Sequence, residues 1–209
     1  MLSYVRDPAE ITRRSFQIIE AEAGLARLPK DIRPIAVRIV HACGMTDVVD
    51  DLVFSEDAGE AGRKAIRDGA PILCDVRMVA AGVMTKRLPA MNVIEIAIDE
   101  AGADGEARRA GHTRSAAGLE LALRRVKDPI VAIGNAPTAL FRLLELVAEG
   151  GAKPALVLCF PVGFVGAAES KAALAENKLG LSFVTLRGRR GGSAMAAAAL
   201  NALILGDER

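Results

Sequence analysis

The sequence predicts an α/β fold, three layers deep, with helices on both faces of a mostly parallel central sheet. Three observations predict it. Short apolar runs that read as buried strands recur at Ile130 to Ile133, Ala155 to Cys159 and Ser182 to Leu186. Each precedes a Gly-containing loop: GNAPTAL at Gly134 to Leu140, FPVGFVGAAESK at Phe160 to Lys171, and RGRRGGSAM at Arg187 to Met195. Each loop leads into an alanine- or leucine-rich run of helical character. A repeated strand, loop and helix is the pattern of a parallel sheet covered on both faces.

The N-terminal half supplies the remaining elements. Asp7 before Pro8 opens a first helix, Ala9 to Ala23, with Ile11, Ser15, Ile18, Ile19 and Glu22 on one face and Gly24 as its stop. A second helix begins near Pro29. It carries Ile32, Ile35, Ala36, Ile39, Val40 and Cys43 at helical spacing and ends at Gly44. Leu52 to Phe54 reads as a short strand, Glu56 to Arg67 as a helix closed by Gly69, and Pro71 to Cys74 as a compact strand. Asp75 then caps a short helix through Val79, with a ligand role as the other reading. Val93 to Ile98 is a further strand, and Thr113 to Arg125 a further helix. Ala101 to Gly111 is polar and Gly-rich, so it is expected to be an exposed loop or insertion. No linker divides the chain, so one domain over 1–209 is expected.

Composition limits the function. Of 209 residues, 51% are hydrophobic, yet Trp is absent and there are 6 Phe and 1 Tyr, so aliphatic side chains must fill the core. The net charge is +1 and the pI about 7.7, which argues against a uniform polyanion-binding surface. The scarcity of aromatics argues against base-stacking platforms. No nucleic-acid partner is expected. The start, MLSYVRDPAEITRR, has no apolar signal segment, and no run approaches a membrane span. A cytoplasmic location without a membrane partner is the simple reading. Cys43, Cys74 and Cys159 form no CxxC pair or Cys/His cluster, so neither a disulfide framework nor a metal site is expected.

Ligands of open parallel sheets bind beyond the carboxyl ends of the strands, so the Gly loops are where a site is expected. Glycine lets backbone N–H groups approach a ligand, and helix N-termini favour anions. Of the two histidines, His41 lies near the end of the second helix beside its apolar stripe. By position alone it reads as a boundary histidine bonded to a carbonyl, although a neutral imidazole can also move a proton near pH 7. His112 reads as a solvent-facing or capping residue. Arginines stand near many strand ends and helix starts, which suits a ligand with several carboxylates; an ordinary charged surface gives the same pattern. RGRRGGSAM lacks the GK[ST] of a P-loop, GFVGAA is only half a dinucleotide fingerprint, and no GxSxG elbow is present.

Taken in order, RSF at Arg14 to Phe16, VHACG at Val40 to Gly44, GAPILCD at Gly69 to Asp75 and TRSAA at Thr113 to Ala117, together with the three Gly-loop motifs, resemble the precorrin-8X methylmutase family. The likeness runs nearly end to end. It implies an isomerase of cobalamin biosynthesis acting on a carboxylate-bearing tetrapyrrole. It also implies a homodimer with the site near the subunit interface, no cofactor, and a methyl shift from C-11 to C-12 that gives hydrogenobyrinate without an external donor. The resemblance places the acid/base role on His41, reversing the reading from position alone. It assigns substrate contacts to Arg14, Ser15, Arg87, Arg114, Ser115, Asn135, Gly163 and Ser193. Other function classes remain open at this point: a non-catalytic tetrapyrrole carrier, the same shift on cobalt-precorrin-8, and an α/β domain binding a phosphate or nucleotide through its Gly loops.

Overall fold

The computed structural model describes residues 2, 4–151 and 153–206; the other positions of the expected span 1–209 lie outside the described residues. Six strands form one sheet: β1 (Leu52–Phe54), β2 (Ile72–Cys74), β3 (Ile94–Ile96), β4 (Ile130–Ile133), β5 (Leu156–Cys159) and β6 (Phe183–Leu186). Their order is β1-β6-β5-β4-β2-β3. All neighbours are parallel except β1, which runs antiparallel to β6 with Leu52 opposite Leu186.

Alternation along the strands separates two cores. Ile72, Cys74, Ile130, Ala132, Leu156, Leu158, Val184 and Leu186 face one side. Helices α1 (Pro8–Glu22), α2 (Arg33–Cys43), α3 (Ala58–Arg67), α4 (Arg77–Ala81) and α9 (Ser193–Leu205) supply the apolar residues of that core. Leu73, Val131, Ile133, Val157, Cys159 and Phe183 face the other side, against α6 (Arg114–Leu123), α7 (Pro137–Ala148) and α8 (Ala167–Ala175). The three-layer α/β/α expectation is therefore met. Helix α9 is apolar on all sides because it is enclosed, with the sheet beneath it and α2 packed on top.

Several local expectations need correction. The stretch 101–111 is not a loop. Ala103–Ala110 forms helix α5, closed at both ends by Gly102 and Gly111 at positive φ and pinned to the fold by the buried Ala103. Gly102 and Gly111 are helix terminators, Gly105 lies within the helix, and a Glu106–Arg109 ion pair lies on its surface. The buried face of α1 is Phe16 and Ile19; Ile11 and Ile18 are exposed. Helix α2 begins at Arg33, not near Pro29, after a short turn at Leu25–Arg27. Cys43 is only partly buried, unlike Cys74 and Cys159. Among the described residues no helix is long and apolar enough to cross a membrane.

Helix α6 approaches the end of β3 so closely that only glycine fits at position 118. A Cβ there would collide with the Ala97 carbonyl oxygen. Gly118→Ala is expected to destabilise the protein by about 1–3 kcal/mol through overpacking. Urea unfolding measures the change, and an unchanged midpoint would show that α6 has room to move.

Candidate active site

The carboxyl ends of β2, β4, β5 and β6 lie along one edge of the sheet. The strand order reverses at β2, which has β3 on one side and β4 on the other, so the topological switch point lies between β2 and β4. In open α/β sheets that crevice is the usual ligand position. Here Asp75 fills it. The Asp75 carboxylate accepts hydrogen bonds from the backbone N–H groups of Gly134 (3.0 Å), Asn135 (2.8 Å) and Ala136 (3.0 Å). Asp75 therefore serves the loop before α7; the short helix that follows it in sequence begins without a side-chain cap. Burial pushes the Asp75 carboxyl up, and those three N–H groups pull it back.

Next along the rim, the loops after β5 and β6 hold each other. The Gly192 N–H donates to the Phe160 carbonyl at 2.7 Å, and the Gly163 N–H to the Arg189 carbonyl at 3.3 Å. Gly191 has no room for a Cβ against the carbonyls of Phe160 and Pro161. A Cβ on Gly134 would stand 2.6 Å from the Ser193 Cα, so the β4 loop abuts the start of α9. Beneath the β6 loop lies Lys171, 1% exposed, whose Nζ donates to the Arg190 carbonyl at 2.5 Å. Burial pushes Lys171 down to about 8. Among the helices that start on this rim, α6, α7, α8 and α9 differ. Thr113 caps α6, and Asp75 takes the N–H groups before α7. Helices α8 and α9 begin at Gly166 and Gly192 with no side-chain cap, and the positive end of a helix favours an anion; Glu169 lies in the first turn of α8.

His41 stands exposed in the last turn of α2, its ring edge-on to Phe16 with centroids 5.2 Å apart. The chain then turns at Gly44 and runs through a 3-10 turn, Thr46–Asp51, into β1. Arg190 ties that turn to the rim. Its guanidinium donates to Asp47 at 2.6 Å and Asp51 at 2.5 Å, while the Arg187 N–H donates to the Asp51 carbonyl at 2.8 Å. The end of α2 is thus delivered to the carboxyl edge of the sheet.

The residues singled out in the sequence fall into three groups. Asn135, Gly163 and Ser193 lie on the interlocked loops. Arg114 and Ser115 open α6 beside them, joined through a 2.7 Å Thr113–Thr138 hydroxyl contact. The Arg114 guanidinium is held by the Ile98 carbonyl (3.1 Å) and by Asp104 (3.5 Å). Arg14 and Ser15 precede Phe16 on α1, and the Phe16 ring is the one that meets His41. Arg14 pairs with Glu10 at 2.5 Å, and the Ser15 hydroxyl donates to the Ile11 carbonyl. Arg87 stands apart from the rim, because the segment after α4 descends along α9: Gly82 lies against Ala197, and the Met84 N–H donates to the Asn201 side chain at 2.9 Å. Sequence reasoning missed the bridging role of Asp75 and the burial of Lys171. The second was detectable, since Ala167, Ser170, Lys171 and Leu174 fall at helical spacing on one buried stripe.

Asp75→Ala would leave two buried donors, at Gly134 and Ala136, without an acceptor at roughly 1–3 kcal/mol each, and the part-buried Asn135 donor as well. It is expected to lower stability far more than Asp75→Asn, which keeps one acceptor oxygen; equal unfolding midpoints for the two variants would refute the bridging role. Lys171 carries a pH signature. Its native value of about 8 lies below the ordinary lysine value of 10.5, so between those pH values the unfolded chain holds the proton more tightly. Stability conferred at this position therefore rises with pH across that window. Cys74 and Cys159, whose thiols burial pushes up, act in the opposite sense in both proteins. The wild-type minus Lys171→Met stability difference is expected to grow between pH 8 and 10.5; a flat difference would contradict it.

Comparison with known proteins agrees with this architecture. The precorrin-8X methylmutase family pattern matches residues 10–205. A precorrin-8X methylmutase of Pseudomonas aeruginosa is 57% identical over 203 residues, covering 97% of this chain and 98% of that one. A cobalt-precorrin-8 methylmutase of Priestia megaterium is 41% identical, covering 96% of this chain and 89% of the other. A solved structure of the precorrin-8X methylmutase from Thermus thermophilus superposes with a TM-score of 0.84 at 39% identity, covering 94% of each chain. The chain belongs to the precorrin-8X methylmutase family, a family of isomerases of cobalamin biosynthesis.

Proposed function

We propose that the chain converts precorrin-8X to hydrogenobyrinate by moving a methyl group from C-11 to C-12, with His41 as the acid/base group. The observation that carries this reading is the exposed imidazole at the end of α2, brought to the rim where α8 and α9 present uncapped N-termini. The reaction is an isomerisation. The bond from the methyl carbon to C-11 breaks as the bond to C-12 forms, with no atom gained or lost. It needs the conjugated ring in one tautomer and one geometry, and neither a nucleophile nor a methyl donor. Proton donation or a hydrogen bond from His41 to a ring nitrogen makes the neighbouring carbon electron-poor and favours migration.

Holding the ring requires contacts to its peripheral carboxylates. Arg14, Ser15, Arg114, Ser115, Asn135, Gly163 and Ser193 are proposed for this, with the uncapped N-termini of α8 and α9 beside the last two. Arg87 stands away from the rim, so its contact belongs to a homodimer in which a second subunit shares the site. Phe164 and Val165, 83% and 90% exposed on the rim loop, are apolar surface of the kind a subunit or a macrocycle face covers. A nucleotide at the switch point is disfavoured, because Asp75 already occupies the backbone donors a phosphate would use. The same shift on cobalt-precorrin-8 is the second reading, supported by the cobalt-precorrin-8 methylmutase of Priestia megaterium at 41% identity.

Incubation of wild type and His41→Ala with precorrin-8X, followed by the visible spectrum, tests the assignment. Removal of general acid assistance is expected to lower kcat by roughly 10²–10⁴-fold. A variant as fast as wild type would remove His41 from the mechanism. Binding without conversion by either protein would make the chain a carrier. The ratio of kcat/KM for the metal-free and cobalt-bearing substrates decides between the two substrates.

A further inference from the structure

We propose that the cavity between α1 and α2 is a carboxylate subsite, in which Arg38 holds a peripheral carboxylate of the substrate one helical turn from His41. The inference rests on the tetrapyrrole reading above and adds a residue outside the motif contacts. The cavity is about 600 Å³, within the range of small-ligand pockets. Its wall includes Phe16, Lys30, Arg33 and Arg38, with Glu20 as its acidic member.

The charges in this wall are not alike. The Arg33 guanidinium is fixed by the carbonyls of Leu28 and Ala26, each at 3.0 Å, so it is structural. Arg38 is half-buried, and no carboxylate among the described residues lies within ion-pair distance of it. Its guanidinium instead lies over the Phe16 ring, 5.6 Å from the centroid. Burial pushes it below the usual arginine range. A partly desolvated cation that meets, among the described residues, a ring face and no carboxylate is costly to hold, and an incoming carboxylate would relieve it. Nearby arginines lack this property: Arg13 and Arg14 share Glu10, and Arg190 holds Asp47 and Asp51.

Geometry joins the cavity to the chemistry. Arg38 and His41 are three residues apart on α2 and therefore neighbours on one helix face. Phe16 touches both, its face under the Arg38 guanidinium and its ring against the His41 imidazole. A carboxylate anchored at Arg38 fixes the distance of the attached ring from the imidazole. Arg38 also presents the planar fork that grips a carboxylate bidentately.

The test uses two ligands and two variants. Wild type, Arg38→Met and Arg38→Lys are titrated with hydrogenobyrinate, followed by the visible spectrum. They are also titrated with mellitate, a planar polycarboxylate, followed by Tm. Arg38→Met keeps the packing stem and is expected to bind hydrogenobyrinate roughly 10- to 100-fold more weakly. Arg38→Lys, which keeps the charge without the fork, should fall between them and carries the test if the Met variant fails to fold. Mellitate is expected to raise the Tm of wild type and not that of Arg38→Met. Variants that bind hydrogenobyrinate as tightly as wild type would overturn the subsite. A wild type that ignores hydrogenobyrinate yet keeps an Arg38-dependent mellitate shift would overturn the tetrapyrrole reading and leave the anion cavity standing. A response to neither ligand would overturn both.

Discussion

Without the Asp75 carboxylate, three consecutive backbone N–H groups at the end of a buried strand would have no acceptor. Gly134, Asn135 and Ala136 leave β4 where the chain must turn into α7, and the loop is too tightly packed against Ser193 to admit a side chain at position 134. One side chain from the neighbouring strand supplies the acceptor for all three. The position of the β4 loop fixes where α9 can begin, and the start of α9 fixes the loops after β5 and β6 that lock above it. The rim therefore depends on a polar bond made at the point where an open α/β sheet would ordinarily be most available to a ligand.

Closing the switch point moves the candidate site sideways. Helices α8 and α9, toward β5 and β6, start without side-chain caps, and the turn from α2 arrives on that same side through Arg190. Helix α9 is the common support. It packs under α2, which carries His41, and it starts at the Gly192 loop, so imidazole and loops are referred to one rigid element. A site assembled on a buried helix is held more narrowly than one carried by surface loops alone.

Much of the architecture could be read in the sequence because its period is short-range. The buried strands are plain apolar runs bounded by Gly loops, and Ile130 to Ile133 is the same span in sequence and structure. Gly44 as a stop is local chemistry and was equally legible, whereas the cap of α6 is Thr113 and not His112. The stretch 101–111 misled because composition there is polar and Gly-rich. Gly102 and Gly111 act as terminators, and the helix between them, which tolerates Gly105, is held by contact with α6, which no local pattern records. The partner of Asp75 was beyond reach for the same reason: the donors lie about sixty residues downstream. His41 gained its weight as a candidate from the family resemblance. Its place on the last turn of α2 is a matter of helix geometry, whereas its nearness to the rim depends on Arg190, a long-range ion pair invisible to periodicity.

The antiparallel pairing of β1 with β6 has a consequence for synthesis on the ribosome. Asp51 and Arg190, which join the His41 side of the molecule to the Gly loops, are 139 positions apart in the chain. Neither β1 nor the turn before it has its partner until the last strand has emerged. Non-local closure of this kind is slow and comes late in folding. Nascent chains that already hold α2 and its histidine would lack the rim, so the candidate site is completed in one final step.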